Sequence, residues 1–210
     1  MNVEFSGREL RDITVAWAAL GVAFTLFILQ TNDQYRLLPD PTTVPVGFLT
    51  RVFVGSLLTV GVGFLLHELA HKVVAIHYGQ VAAFKADYGM LGIAVLGGLA
   101  GFLFAAPGAV VHRGRVSPRE HAFIAVAGPL VNVALAALFV VPWLLLSGMA
   151  GEIAQLGVTV NAVLAGFNMI PFGPLDGRKV RQWSTAGFAA AFLLCVGVAL
   201  AAFLFVGFPF

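Results

Sequence analysis

The run His67-Glu68-Leu69-Ala70-His71 is the part of this sequence with the clearest chemical meaning. On a helix, residues four apart share a face. Both imidazoles can therefore point at one Zn2+ while Glu68 lies beside a water on the same ion. Zinc lowers the pKa of such a water to about 7, and a neighbouring carboxylate that takes its proton leaves a hydroxide nucleophile. The implied chemistry is hydrolysis. Zinc that does chemistry takes about three protein ligands, so two histidines leave one to find.

The candidates for that third place are His77, His112, Glu120, His121, Glu152 and Asp176. His77 completes the spacing HExxHxxxxxH of a soluble zinc-protease group. Val74, however, stands where that group needs a glycine to turn the chain back. Without the turn, His77 lies about 240° around the helix from His71. Asp176 is the stronger candidate. It sits in NMIPFGPLDG, Asn168 to Gly177, where Pro171, Gly173, Pro174 and Gly177 break a helix at a membrane end. Broken backbone at membrane depth survives only inside protein or along a wet cavity, and a hydrolase needs that water.

The elements that must position these residues follow from composition. Hydrophobic residues make up 60% of the 210 and charged residues 10%, against about 45–50% and 25% in soluble domains. The mean hydropathy is +0.94. So few charges, confined to short stretches, cannot cover a water-facing surface. The reading is an all-α polytopic membrane protein with five to six transmembrane helices and a short re-entrant or strand-like segment around 80–116. The crossings run from Ile13 to Leu29 (uncleaved), Phe48 to Leu66, Ala122 to Leu146, Ile153 to Ile170 and Phe188 to Phe208, with SGMAGE a turn before the fourth. Residues 1–210 form one membrane-embedded domain. Its core is about 48–177, its peripheral helices are 13–29 and 184–208, and no soluble domain is appended. The net charge of +2 comes with no basic run, so no nucleic-acid partner is expected. The single cysteine, Cys195, excludes a disulfide and reads as a small buried hydrophobe.

Charge settles the ambiguous stretch 91–111. If it does not cross, Arg8, Arg11, Lys72, Lys85, Arg113, Arg115, Arg119, Arg178, Lys179 and Arg181 share one side, and only Arg36 and Arg51 face the other. The crowded side is then cytoplasmic. The same topology brings His67, His71 and Asp176 to one depth; a crossing at 91–111 would put Asp176 at the opposite face.

HELAHKVVAIHYG, AGPLVN (Ala127 to Asn132) and NMIPFGPLDG, taken in this order, resemble the site-2 protease family of intramembrane zinc metalloproteases. The resemblance spans about Phe48 to Gly177. It implies one Zn2+ per chain on His67, His71 and Asp176, with Glu68 as general base. Asn168 would position the substrate or stabilise the oxyanion. The implied substrates are membrane-spanning segments of membrane-anchored proteins, often trimmed first by another protease. The implied setting is the bilayer of the cell membrane, with the site near the cytoplasmic side. Pro107 to Val116 resembles the family's strand-like segment, whose free edge could capture an unwound substrate. Regulation by a PDZ-like or nucleotide-sensing appendage is not expected.

Two other readings stay open on the residues alone. A prenyl-protein-processing type of membrane zinc protease would use Glu120 or Glu152 as third ligand, leaving the LDG motif unexplained. A metal transporter or idle scaffold would account for the buried His and Asp but not for Glu68 between two ligands. Among smaller signals, Asn132 either bonds across helices or packs near a helix start, and Gly63 and Ala70 let a partner helix approach. Arg113, Arg115 and Arg119 read as headgroup-facing charges, and Trp17, Trp143 and Trp183 as interfacial anchors.

Overall fold

The computed structural model describes residues 3–103 and 107–210. Five helices among the described residues are long and apolar enough to cross a bilayer. The first, α1 (Gly7–Thr31), starts where the Ser6 hydroxyl accepts the Glu9 N–H. The second crossing is one 32-residue helix, Val46–His77, made of α2 (Val46–Ser56), a π-helical turn (Leu57–Gly61) and α3 (Val62–His77). Then come β1 (Val81–Ala86), α4 (Tyr88–Leu99) and β2 (Gly108–Arg113). The remaining crossings are α5 (Pro118–Leu145), α6 (Gly148–Asn168) and α8 (Thr185–Phe205), with the short α7 (Asp176–Trp183) between the last two. The fold is thus a helical membrane bundle carrying one two-stranded sheet.

That sheet decides the topology of the ambiguous stretch. β1 and β2 pair antiparallel, with Val81 opposite Arg113 and Ala86 opposite Gly108. Asp87 and Pro107 therefore lie side by side, and the chain returns at 107 to the face it left at 87, as a re-entrant segment does. α4, at 12 residues, is about 18 Å long and falls short of a bilayer core of about 30 Å. It lies along α1, and Gly98 faces the Ala23 carbonyl so closely that a side chain at 98 would collide with it. Gly97, against the Phe102 carbonyl, and Gly98 thus serve a close re-entrant packing. The expected strand at Pro107 to Val116 is β2; its partner β1, in residues with no alternating pattern, was not foreseen.

Connectivity then places the ends. α3 finishes, α5 begins, α6 finishes and α8 begins at the same end of the bundle as the start of α1. The α5 start is fixed by a reciprocal box in which Ser117 Oγ accepts the Glu120 N–H and Glu120 accepts the Ser117 N–H. α6 is the most enclosed crossing and α8 the least.

Two expectations need correction. The stretch read as the turn SGMAGE is largely helix, because α6 starts at Gly148 and leaves only Leu146 and Ser147 to turn the chain. Trp17 is no interfacial anchor: its Nε1–H donates to Leu57 O at 3.0 Å, satisfying a carbonyl at the π turn. Lys72, counted above among the cations of one side, is fully buried. Its ammonium donates to both Glu9 oxygens at 2.8 Å and to Glu4 O at 2.6 Å.

Candidate metal centre

His67 and His71 occupy one face of α3, one turn apart, and both are buried. Their rings are wedged against α5 by Gly128. A Cβ there would stand 2.6 Å from His67 Nε2 and from Cε1 of both rings. His71 Nδ1 lies 2.7 Å from Ile124 O. A carbonyl only accepts, so Nδ1 carries the hydrogen and Nε2 presents a bare lone pair. His67 Nδ1 lies 2.6 Å from Asn132 Oδ1. Asn132 is thus a cross-helix bonding residue in the bundle interior rather than packing near a helix start.

Asp176 is brought in by the broken end of α6. The chain turns through residues 169–175 and restarts as α7, whose first residue is Asp176. Gly177 makes this possible, because a side chain there would run into the backbone of Met169. The Asp176 carboxylate is buried. Oδ2 sits 3.3 Å from His67 Nε2 and 3.2 Å from His71 Nε2, and Oδ1 accepts from Lys179 Nζ at 3.1 Å. The two Nε2 atoms are 3.0 Å apart.

Three lone-pair atoms facing one another at 3.0–3.3 Å repel unless a cation lies among them. The separations suit zinc: ligands at about 2.0–2.1 Å in a tetrahedral site stand about 3.3 Å apart. Among the described residues, His67, His71 and Asp176 are the only His, Cys, Asp or Glu group so arranged.

The other candidates lie elsewhere. His77 is exposed at the end of α3, its ring against Tyr78. Glu120 is used in the α5 cap. Glu152 pairs with Arg51 at 3.5 Å, at the opposite end of the bundle. Neither glutamate joins the histidines, so the structure gives no support to a Glu third ligand. His112 and His121 face each other with ring centroids 5.6 Å apart. Partial burial, with the Lys179 charge second, holds the His112 imidazole below its ordinary pKa.

Glu68 is buried beside its two histidines, and its Oε2 accepts the Val110 N–H of β2 at 2.8 Å. Asn168 is not gathered with this group: its Nδ2 donates to Leu164 O of its own helix at 3.0 Å. Reading the sequence gave no role to Gly128, Lys179, Asn161 or the Val110 amide. AGPLVN was visible as a motif, but nothing in it says that its glycine faces two imidazoles.

A protein of Methanocaldococcus jannaschii, provisionally named zinc metalloprotease MJ0611, is 36% identical over 200 residues, 93% of this chain and 95% of its own length. The chain belongs to the site-2 protease family. Two further relatives carry equally provisional zinc metalloprotease names. Bacillus subtilis YwhC is 30% identical over 147 residues, 59% of this chain and 65% of its own. Mycobacterium tuberculosis Rip3 is 34% identical over 125 residues, 57% of this chain and 28% of its own. No family model matches the chain, and no solved structure matches it. This site-2 protease homologue is a zinc metalloprotease and an integral membrane protein.

Proposed function

We propose that the protein cuts peptide bonds in or beside the transmembrane segments of membrane-anchored proteins, with one zinc per chain held by His67, His71 and Asp176. The observation that carries this reading is the position of those ligands. They gather at the ends of membrane-length helices, with a carboxylate, Glu68, buried next to them. An ionisable group at such depth is expensive and functional by default.

Zinc held by these residues would supply Lewis acidity and a water that gives up its proton near neutral pH. Glu68 accepts that proton and returns it to the departing amine, as a general base and then acid. Asn168 turns from Leu164 O to donate its amide N–H to the oxygen of the scissile carbonyl. A helical substrate satisfies its own backbone and must unwind before it can be cut. The outer edge of β2 offers backbone groups on which an unwound strand can pair. The cluster of cations at one end of the bundle supports a site near the cytoplasmic face of the cell membrane. An upstream protease that trims the substrate is the expected partner.

The test needs no prior substrate. The parent and Glu68→Gln are reconstituted separately in liposomes carrying a mixed set of single-span membrane proteins, and new termini are mapped by mass spectrometry. Termini within or beside the spans, in the parent alone, are expected. Cleavage unchanged by Glu68→Gln sinks the general-base role. Zinc binding without any cleavage favours a transporter or scaffold.

A further inference from the structure

We propose that Asn161 is a positioning residue for the zinc ligand His67, acting through Asn132. This rests on the zinc reading above and concerns residues that make the site able to bind. Asn132 on α5 and Asn161 on α6 are both fully buried among apolar helices. A buried amide is costly unless each of its groups is bonded, so two in contact call for a reason.

The reason lies in the direction of the hydrogen bonds. Asn161 Nδ2 donates to Gly157 O at 2.9 Å, and a carbonyl can only accept. That fixes the Asn161 amide with Oδ1 turned to Asn132. Asn132 must then present its donor, and Nδ2 bonds Asn161 Oδ1 at 2.9 Å and Gly63 O at 3.2 Å. Its Oδ1 is left facing His67 Nδ1 at 2.6 Å. So His67 carries its hydrogen on Nδ1 and keeps Nε2 bare for the metal.

With the Asn132 amide reversed, Nδ1 would accept instead, the ring hydrogen would sit on Nε2, and His67 could not ligate. A backbone carbonyl on α6 thus sets the tautomer of a histidine on α3 through two side chains. Gly63 makes room for the chain of bonds, since a Cβ at 63 would collide with Asn161 Oδ1. Groups behind a metal ligand are worth about 10–100-fold in metal affinity.

The test is zinc affinity, read by chelator competition on the purified full chain in detergent. Leucine is near in shape to asparagine and removes its bonding. Asn132→Leu should weaken zinc by about 10–100-fold. Asn161→Leu should weaken it by about tenfold, since Gly63 O still restrains Asn132. The double variant should match Asn132→Leu alone. Asn161→Ala, which removes the amide without adding bulk, should weaken zinc to the same degree and keeps the test open if Asn161→Leu folds badly. Asn161→Leu with zinc affinity within about twofold of the parent, or effects that simply multiply with Asn132→Leu, overturn the inference. A folded parent that binds no zinc overturns the function proposed above instead.

Discussion

Glu68 Oε2 and the Val110 N–H, 42 residues apart in the chain, meet at 2.8 Å. In the β1–β2 ladder Val110 lies opposite Phe84, whose own N–H turns away from β2 to Glu9. Alternation then puts Val110 and His112 on the outer edge of β2, with their backbone groups pointing away from β1. The expected general base is therefore held by the outer edge of β2, the edge proposed above to pair with substrate.

Proline separates these roles, because an outward N–H on an edge strand can be lost without breaking the ladder. Val110→Pro should lower kcat by about tenfold to a hundredfold, less than the 10²–10⁴ that removing a general base costs. His112→Pro removes the next outward N–H, which does not touch Glu68, and should raise KM with kcat nearly unchanged. The measurement is steady-state cleavage of a membrane substrate, with zinc content as a fold control. Equal losses of kcat in both would mean only that the hairpin is disturbed.

Asp176 and Lys179 should differ in their effect on metal. Asp176→Ala removes a ligand atom and should take zinc from about one per chain to nearly none. Lys179→Met leaves the ligand in place and removes only the partner of Oδ1. Zinc should stay bound but about tenfold more weakly, as for other groups behind a ligand. Zinc retained by Asp176→Ala would move the third ligand elsewhere.

Gly128→Ala should block the site from the helix behind it. The new methyl would sit 2.6 Å from His67 and His71 ring atoms, well inside the about 3.5–4.0 Å of ordinary carbon contacts. Within a helix, alanine is otherwise favoured over glycine by about 1 kcal/mol. The variant should therefore fold and lose most of its zinc, whereas Gly92→Ala, with nothing within 4 Å of its Cβ, should keep it. Metal content and thermal unfolding in detergent check both.

The crossings, the HExxH face and the return of Asp176 to that face were legible because each has a local cause. Apolar length marks a span, and a turn of helix puts His67 beside His71. Charge asymmetry made 91–111 re-entrant, and the pairing of Ala86 with Gly108 supplies the reason. What stayed hidden was pairing over distance. Nothing near Trp17 says that its indole will cap Leu57 O on another helix. Nothing near Lys72 says that Glu9 will reach it and form a buried ion pair. Asn168 shows the opposite limit: a motif named it, while its side chain bonds its own helix.

The Glu9–Lys72 pair gives the last prediction. Both side chains are buried, the Lys72 ammonium bonds both carboxylate oxygens at 2.8 Å, and Glu9 also accepts the Phe84 N–H at 2.8 Å. The pair therefore joins α1, the zinc helix α3 and β1. Removing one partner leaves the other charge buried and alone, which costs about 3–5 kcal/mol. Lys72→Met and Glu9→Gln should each lower stability by that order, measured by unfolding in detergent. The double variant leaves no unpaired charge and should recover most of the loss, because apolar replacements of a buried pair are often neutral. If the double variant is instead as unstable as the two losses added, the charges act independently and the pair does not bind the three elements together.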